Sequence, residues 1–147
     1  MKNALLSFLV MAVFGISTAH ASILGEWNGW GEWKFDGSGM ACRMIHFKFN
    51  ENAKQLVRAV GNFSCDQVNM QAPPLTLQKI GKNLVLDQKI VGDFTESRYH
   101  WIEPYSATVN VEVFIERSAR HLDYQEHWIN LKGELIYDIN ARLFLHE

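Results

Sequence analysis

Six histidines invite a metal reading first. In "HLDYQEHW", His121, Asp123, Gln125 and His127 stand two apart, so an extended chain sets them on one face. Imidazole and carboxylate are metal ligands, but His121 and His127 lie about 20 Å apart along a strand and cannot share an ion. His46, His100 and His146 stand singly, and none has the setting of an axial haem ligand. No metal and no cofactor are expected. The chain has no Gly-x-Ser-x-Gly elbow, no His-Glu-x-x-His and no glycine-rich phosphate loop. Glu112 and Glu116 fall on a face that reads as solvated. No catalytic residue is assigned; an enzyme whose constellation is assembled from distant strands remains the outside alternative.

Cys42 and Cys65 are the two cysteines. Their chemistry depends on compartment, and the first residues address it. "MKN" carries a positive charge, "ALLSFLVMAVFGI" is apolar, and "STAHA" ends in the small-x-small pattern of a cleavage site. The apolar run is shorter than the roughly 20 residues of a spanning helix. Residues 1–21 therefore read as a cleaved signal peptide, and 22–147 as a single exported domain, periplasmic or secreted. In that setting the cysteine pair reads as a disulfide. Closing a loop of about 23 residues stabilises by roughly 3 kcal/mol on a chain-entropy view. Loss of Lys2 with the leader takes the formal charge from −2 to −3, which offers no footprint for nucleic acid. No second long apolar run follows, so the mature chain is not expected to span a membrane.

Period two dominates the rest. In "ATVNVEVFIER", Val109, Val111, Val113 and Ile115 alternate with Asn110, Glu112 and Glu116, and "LIYDINARLFL" repeats the pattern. Such alternation marks strands with one buried face. "NENAK", "IGKN", "SARH" and "KGE" punctuate the runs as tight turns, which implies antiparallel hairpins. The tandem prolines of "MQAPPL" (70–75) predict an extended loop, because proline cannot sit in a central strand. About nine strands result, with little helix outside the signal peptide. Counting back from the "NENAK" turn places Cys42 opposite residue 62, so a bulge or fray has to absorb an offset to Cys65.

The opening run "ILGEWNGWGEWKF" fixes the expected shape. Odd positions carry Ile23, Trp27, Trp33 and Phe35 spaced by Gly25, Gly29 and Gly31; even positions are polar except Leu24 and Trp30. Thirteen extended residues would span about 43 Å, too long for a straight strand in a small domain. Glycines on the inward face let it bend, with Trp27 and Trp33 inside and Trp30 outside. The same alternation puts Arg43 with Ile45, Phe47 and Phe49, Tyr99 with Trp101, and Tyr124 with Trp128 and Glu126. Trp27, Trp33, Arg43, Tyr99, Trp101 and Tyr124 are the candidate ligand-facing residues. Short connections favour a closed barrel over a sandwich, since closure removes exposed edges.

Gly25-Glu26-Trp27 resembles the Gly-x-Trp opening strand of lipocalins and the wider calycin group. Leu122-Asp123-Tyr124 resembles their Thr-Asp-Tyr signature in a late turn, with leucine in place of threonine, and Arg142 is the nearest counterpart of their closing arginine. The resemblance implies an all-β, antiparallel up-and-down β-barrel of about eight to ten strands with an apolar interior. Two functions follow as expectations: binding of a small apolar or amphipathic molecule inside, or protein binding through loops and an exposed aromatic patch. Whether the interior is a cavity or is filled by its own rings separates them.

Overall fold

In a computed structural model, residues 22–146 are described; the leader-like segment 1–21 lies outside them. The described chain is built of strands alone: β1 (Gly25–Phe35), β2 (Ser38–Glu51), β3 (Gln55–Cys65), β4 (Asn69–Gln71), β5 (Leu75–Ile80), β6 (Asn83–Leu86), β7 (Lys89–Phe94), β8 (Arg98–Pro104), β9 (Val109–Arg117), β10 (His121–Asn130) and β11 (Leu135–Leu145). All pair antiparallel in one sheet of order β2-β1-β11-β10-β9-β8-β7-β6-β5-β3-β4, and a further β2–β3 pairing closes it into a ring. The result is barrel-like, as the tight turns and alternation lead one to expect.

The two strands beyond the nine expected have local causes. The run "LVLDQKIV" is a hairpin rather than one strand: Leu86 pairs with Lys89, and Asp87 and Gln88 both take positive φ, 48° and 65°. Positive φ at both central residues is the demand of a two-residue I′ turn, met here without the glycine that would announce it. The "MQAPPL" loop is an interruption within a strand. β4 pairs with β3 as Asn62↔Gln71 and β5 continues in the same register as Arg58↔Leu75. Ala72 N still donates to Gly61 O at 2.8 Å; only the two prolines, lacking N–H, break the ladder.

β1 bends where its glycines lie. Its register against β2 shifts between Gly29 and Gly31, while its pairing with β11 runs unbroken from Trp27↔Leu145 to Phe35↔Tyr137. A Cβ on Gly29 would stand 1.9 Å from Arg142 O, and one on Gly31 2.2 Å from Asn140 O. Only a residue without a side chain lets β1 lie that close to β11. Trp27 and Trp33 are buried, and Trp30 is 59% exposed.

The same irregularity overturns one placement. Arg43 does not share the inward face with Ile45, Phe47 and Phe49. It is the extra residue of a bulge, since Cys42 pairs with Cys65 but Met44 with Ser64, so the inward set changes from even to odd numbers there. The Arg43 side chain is 83% exposed and pairs with Asp66 at 3.0 Å. Cys42 and Cys65 form the expected disulfide, with Cα atoms 3.7 Å apart. The anticipated offset came from centring the turn too early. Asn52 Oδ1 accepts from Lys54 N and Gln55 N at 2.8 and 3.0 Å, which makes Glu51↔Leu56 the first pair. A second bulge near Ala59 cancels the one at Arg43.

Trp27→Ala should therefore cost about 3–5 kcal/mol in denaturant melts and Gly29→Ala about 1–3 kcal/mol through the forced clash. Trp30→Ala should cost under about 1 kcal/mol. Equal, small losses at all three positions would contradict the bent-strand account.

Candidate functional site

Inside the ring, large rings lock together. Phe47 stacks on Phe49 at 5.4 Å, meets Phe63 edge-on at 5.4 Å and lies 4.5 Å from Tyr124. Farther along, Trp128 packs on Tyr137 at 4.8 Å and Trp33 on Tyr137 at 5.1 Å, with the exposed Tyr105 of the β8–β9 connection 4.4 Å from Trp128. Such offset and edge contacts are the favoured geometries of aromatic pairs. Of the residues singled out from sequence, Trp27, Trp33, Tyr99, Trp101 and Tyr124 all lie in this interior; Arg43 does not.

Three charged side chains share that interior. Arg58 Nη2 donates to Glu103 Oε1 at 2.7 Å, and Trp101 Nε1 donates to Glu103 Oε2 at 2.8 Å. Arg58 also gives Nε and Nη2 to Pro73 O at 3.2 and 2.9 Å, so the proline break supplies a carbonyl to the guanidinium. Beside them Glu126 accepts from Tyr124 OH at Oε1 and from Trp128 Nε1 at 3.0 Å. Burial pushes the Glu126 carboxyl above its ordinary range, against the pull of Tyr124, Trp128 and Arg58. Burial likewise raises the Tyr124 phenol, with Glu126 adding to it. Two buried polar atoms stay over: Arg58 Nη1 and Arg117 Nε have no hydrogen-bond partner among the described residues.

A second cluster lies where β1 begins. Glu51 accepts from Ser22 Oγ at 2.7 Å, Ile23 N at 2.9 Å, Tyr99 OH at 2.7 Å and Lys79 Nζ. Lys79 Nζ also stands 4.5 Å over the Phe94 ring. Burial opposes the Glu51 charge, but the Lys79, Ser22 and Tyr99 hydrogen bonds outweigh it and hold the carboxyl below its usual range. Nearby, Trp27 Nε1 donates to Ile23 O at 2.8 Å, and the Arg117 guanidinium covers the indole at 4.6 Å. The arginine against the first-strand tryptophan is thus Arg117. Arg142 faces outward and pairs with Asp123 at 2.8 Å, and Leu122-Asp123-Tyr124 opens β10 rather than a turn.

Arg58, Glu103, Glu51 and Lys79 were missed in the sequence, although two carried a signal. Arg58 alternates with Leu56, and Glu103 follows Tyr99 and Trp101 at period two. A polar residue in phase with a buried run marks an internal partner, since burying such a group alone costs a few kcal/mol. The histidines among the described residues are not part of the buried interior: His100 Nε2 meets Glu112 at 2.8 Å and His121 Nε2 meets Asp123 at 3.1 Å. Among the described residues no group of three His, Cys, Asp or Glu side chains is placed to hold a metal, and no helix is long and apolar enough to cross a membrane.

Outside, Trp30 and Phe144 stack at 5.3 Å in solvent. Met44, across the β1–β2 bulge from Trp30, is exposed as well. Compared with known proteins, the chain matches no family model and no curated protein.

The Glu126 environment makes a pH prediction. Its folded-state pKa lies above the unfolded value, so the folded chain keeps a proton that the unfolded chain releases above pH of about 4.5. This contribution to stability is present at low pH and is lost as pH rises through the folded pKa. Urea midpoints of wild type and Glu126→Gln, compared between pH of about 4 and about 8, should show the wild type losing ground as pH rises. A pH-independent difference would contradict the raised carboxyl.

Proposed function

We infer that the chain is an exported binding module: an up-and-down, calycin-like barrel that contacts a macromolecule through its outer surface around Trp30. The observation that carries this reading is the division of aromatic surface. Interior rings pack against one another and beside the Arg58–Glu103 and Glu126 networks, which favours an inside occupied by the chain's own side chains. The Trp30–Phe144 pair, with Met44 beside it, forgoes burial at roughly 25 cal/mol per Å². Contiguous exposed apolar surface of that kind marks a contact site. Export is supported by the leader-like order of residues 1–21 and by the Cys42–Cys65 disulfide, which belongs to an oxidising compartment.

A second reading, a small molecule in the interior, is favoured by one atom. Arg58 Nη1 is a buried donor with no partner among the described residues, and a ligand oxygen would satisfy it.

The two readings part in a gently prepared extract of the protein's own exported fraction. The wild type should sediment or migrate with an assembly larger than the free chain, and Trp30→Ser/Phe144→Ser should run free with an unchanged melt. A wild type that runs free overturns the surface reading. If its native mass then exceeds that of the chain by a small molecule, the interior reading replaces it.

A further inference from the structure

On the outside of the ring, strand register lines side chains into rows. Trp30 of β1 lies opposite Arg142 of β11, Arg142 opposite Asp123 of β10, and Asp123 opposite Glu116 of β9. Glu32, Asn140 and Gln125 form the adjacent row. Both rows border an open groove of about 710 Å³ across these four strands. Three physical features of the groove decide what it can hold.

The first is a platform. Trp30 stacks on Phe144, which braces the indole while most of its surface stays in water. The negative face of an aromatic ring attracts the C–H-rich face of a pyranose. The second is the shape of the polar groups. Carboxylate, amide and guanidinium are planar and present donors or acceptors in adjacent pairs, the pattern that grips neighbouring hydroxyls on a sugar ring. The third is charge. Arg142 Nε donates to Asp123 Oδ1 at 2.8 Å, His121 Nε2 meets Asp123 Oδ2 at 3.1 Å, and Glu32 pairs with Lys34 at 3.3 Å. Glu116 lies opposite Arg98 of β8 in the next register.

An anionic partner would meet repulsion here, because the lining holds three carboxylates, Glu32, Glu116 and Asp123, against one guanidinium, Arg142, and Lys34, Arg142 and His121 already engage two of the three. A flat apolar protein segment would strip water from the carboxylates and amides without replacing their hydrogen bonds. An uncharged, hydroxyl-rich chain does neither. Four strands at about 4.8 Å spacing give a row of about 14 Å, room for a short run of sugar rings laid across the sheet.

We propose that this groove is an oligosaccharide-binding site. Trp30 is the stacking platform, and Arg142, Asn140 and Gln125 are the hydroxyl partners. The proposal rests on the outer-surface reading of function and names its partner class.

The test titrates chitotetraose, cellotetraose and maltotetraose separately into the purified protein, by calorimetry and tryptophan emission. At least one should bind with Kd at or below about 1 mM. Trp30→Ala should weaken it about tenfold or more with the melt unchanged, Trp30→Phe less, and Arg142→Gln measurably. Raising salt from about 0.1 to about 1 M should leave Kd within about twofold, because the recognition is uncharged. No binding of any of the three at about 10 mM, or binding that Trp30→Ala leaves intact, overturns the site. If that occurs while Trp30→Ser/Phe144→Ser still releases the protein from its larger assembly, the glycan inference fails and the surface reading stands with a protein as partner.

Discussion

β1 has to satisfy two neighbours while turning. It holds an unbroken ladder to β11 on one edge and an interrupted one to β2 on the other, and the ring closes only if both survive the bend. Gly29 and Gly31 make that possible by letting β1 lie against β11 where any Cβ would meet a backbone oxygen. The consequences spread from there. Unbroken alternation along β1 leaves Trp30 outward between two buried tryptophans, while the slip in β2 sends Arg43 out to Asp66 and brings Cys42 in to meet Cys65. The interior, the disulfide and the exposed aromatic pair all derive from that geometry.

The buried interior of the ring combines aliphatic side chains with tryptophan, tyrosine and phenylalanine. Tyrosine and tryptophan carry polar atoms that need partners when buried. Glu103 and Glu126 each take an indole N–H, and Glu51 and Glu126 each take a phenol O–H. The carboxylates then need their own compensation. Arg58 supplies it to Glu103, Lys79 supplies it to Glu51, and Glu126, lacking a direct cation, meets the demand by holding its proton more tightly. A buried ion pair adds little net stability over apolar packing, but removing one partner costs about 3–5 kcal/mol. Such a network therefore fixes which rings stand where.

Period two made the strands, their antiparallel pairing and the inward set of β1, β8, β10 and β11 legible, because a one-residue error would turn a buried face to solvent. What the pattern hid were breaks in parity. The bulges at Arg43 and Ala59 reverse inside and outside within a strand, and no residue type announces them. Asp87-Gln88 adopts a turn that usually advertises itself with glycine. The proline pair was visible, but a strand resuming in the same register beyond it was not. Of the interior network, Glu126 could be read from its phase. Arg58 could have been, since it sits before the β3 bulge, but its partner Pro73 O comes from a break whose geometry only pairing defines. The outer rows from Trp30 to Glu116 depend on four registers at once, which no single-strand pattern carries.

On the proposed reading the chain's working chemistry lies on its outer face, with the inside serving as scaffold. The direct measurement is accessibility of the five tryptophans, read by fluorine NMR of protein labelled with 5-fluorotryptophan and exposed to a soluble paramagnetic agent. A filled ring predicts that only the Trp30 resonance, assigned by its loss in Trp30→Phe, broadens strongly, while Trp27, Trp33, Trp101 and Trp128 stay sharp. Strong broadening at Trp27, Trp101 or Trp128 would show an interior open to solvent and would contradict the account.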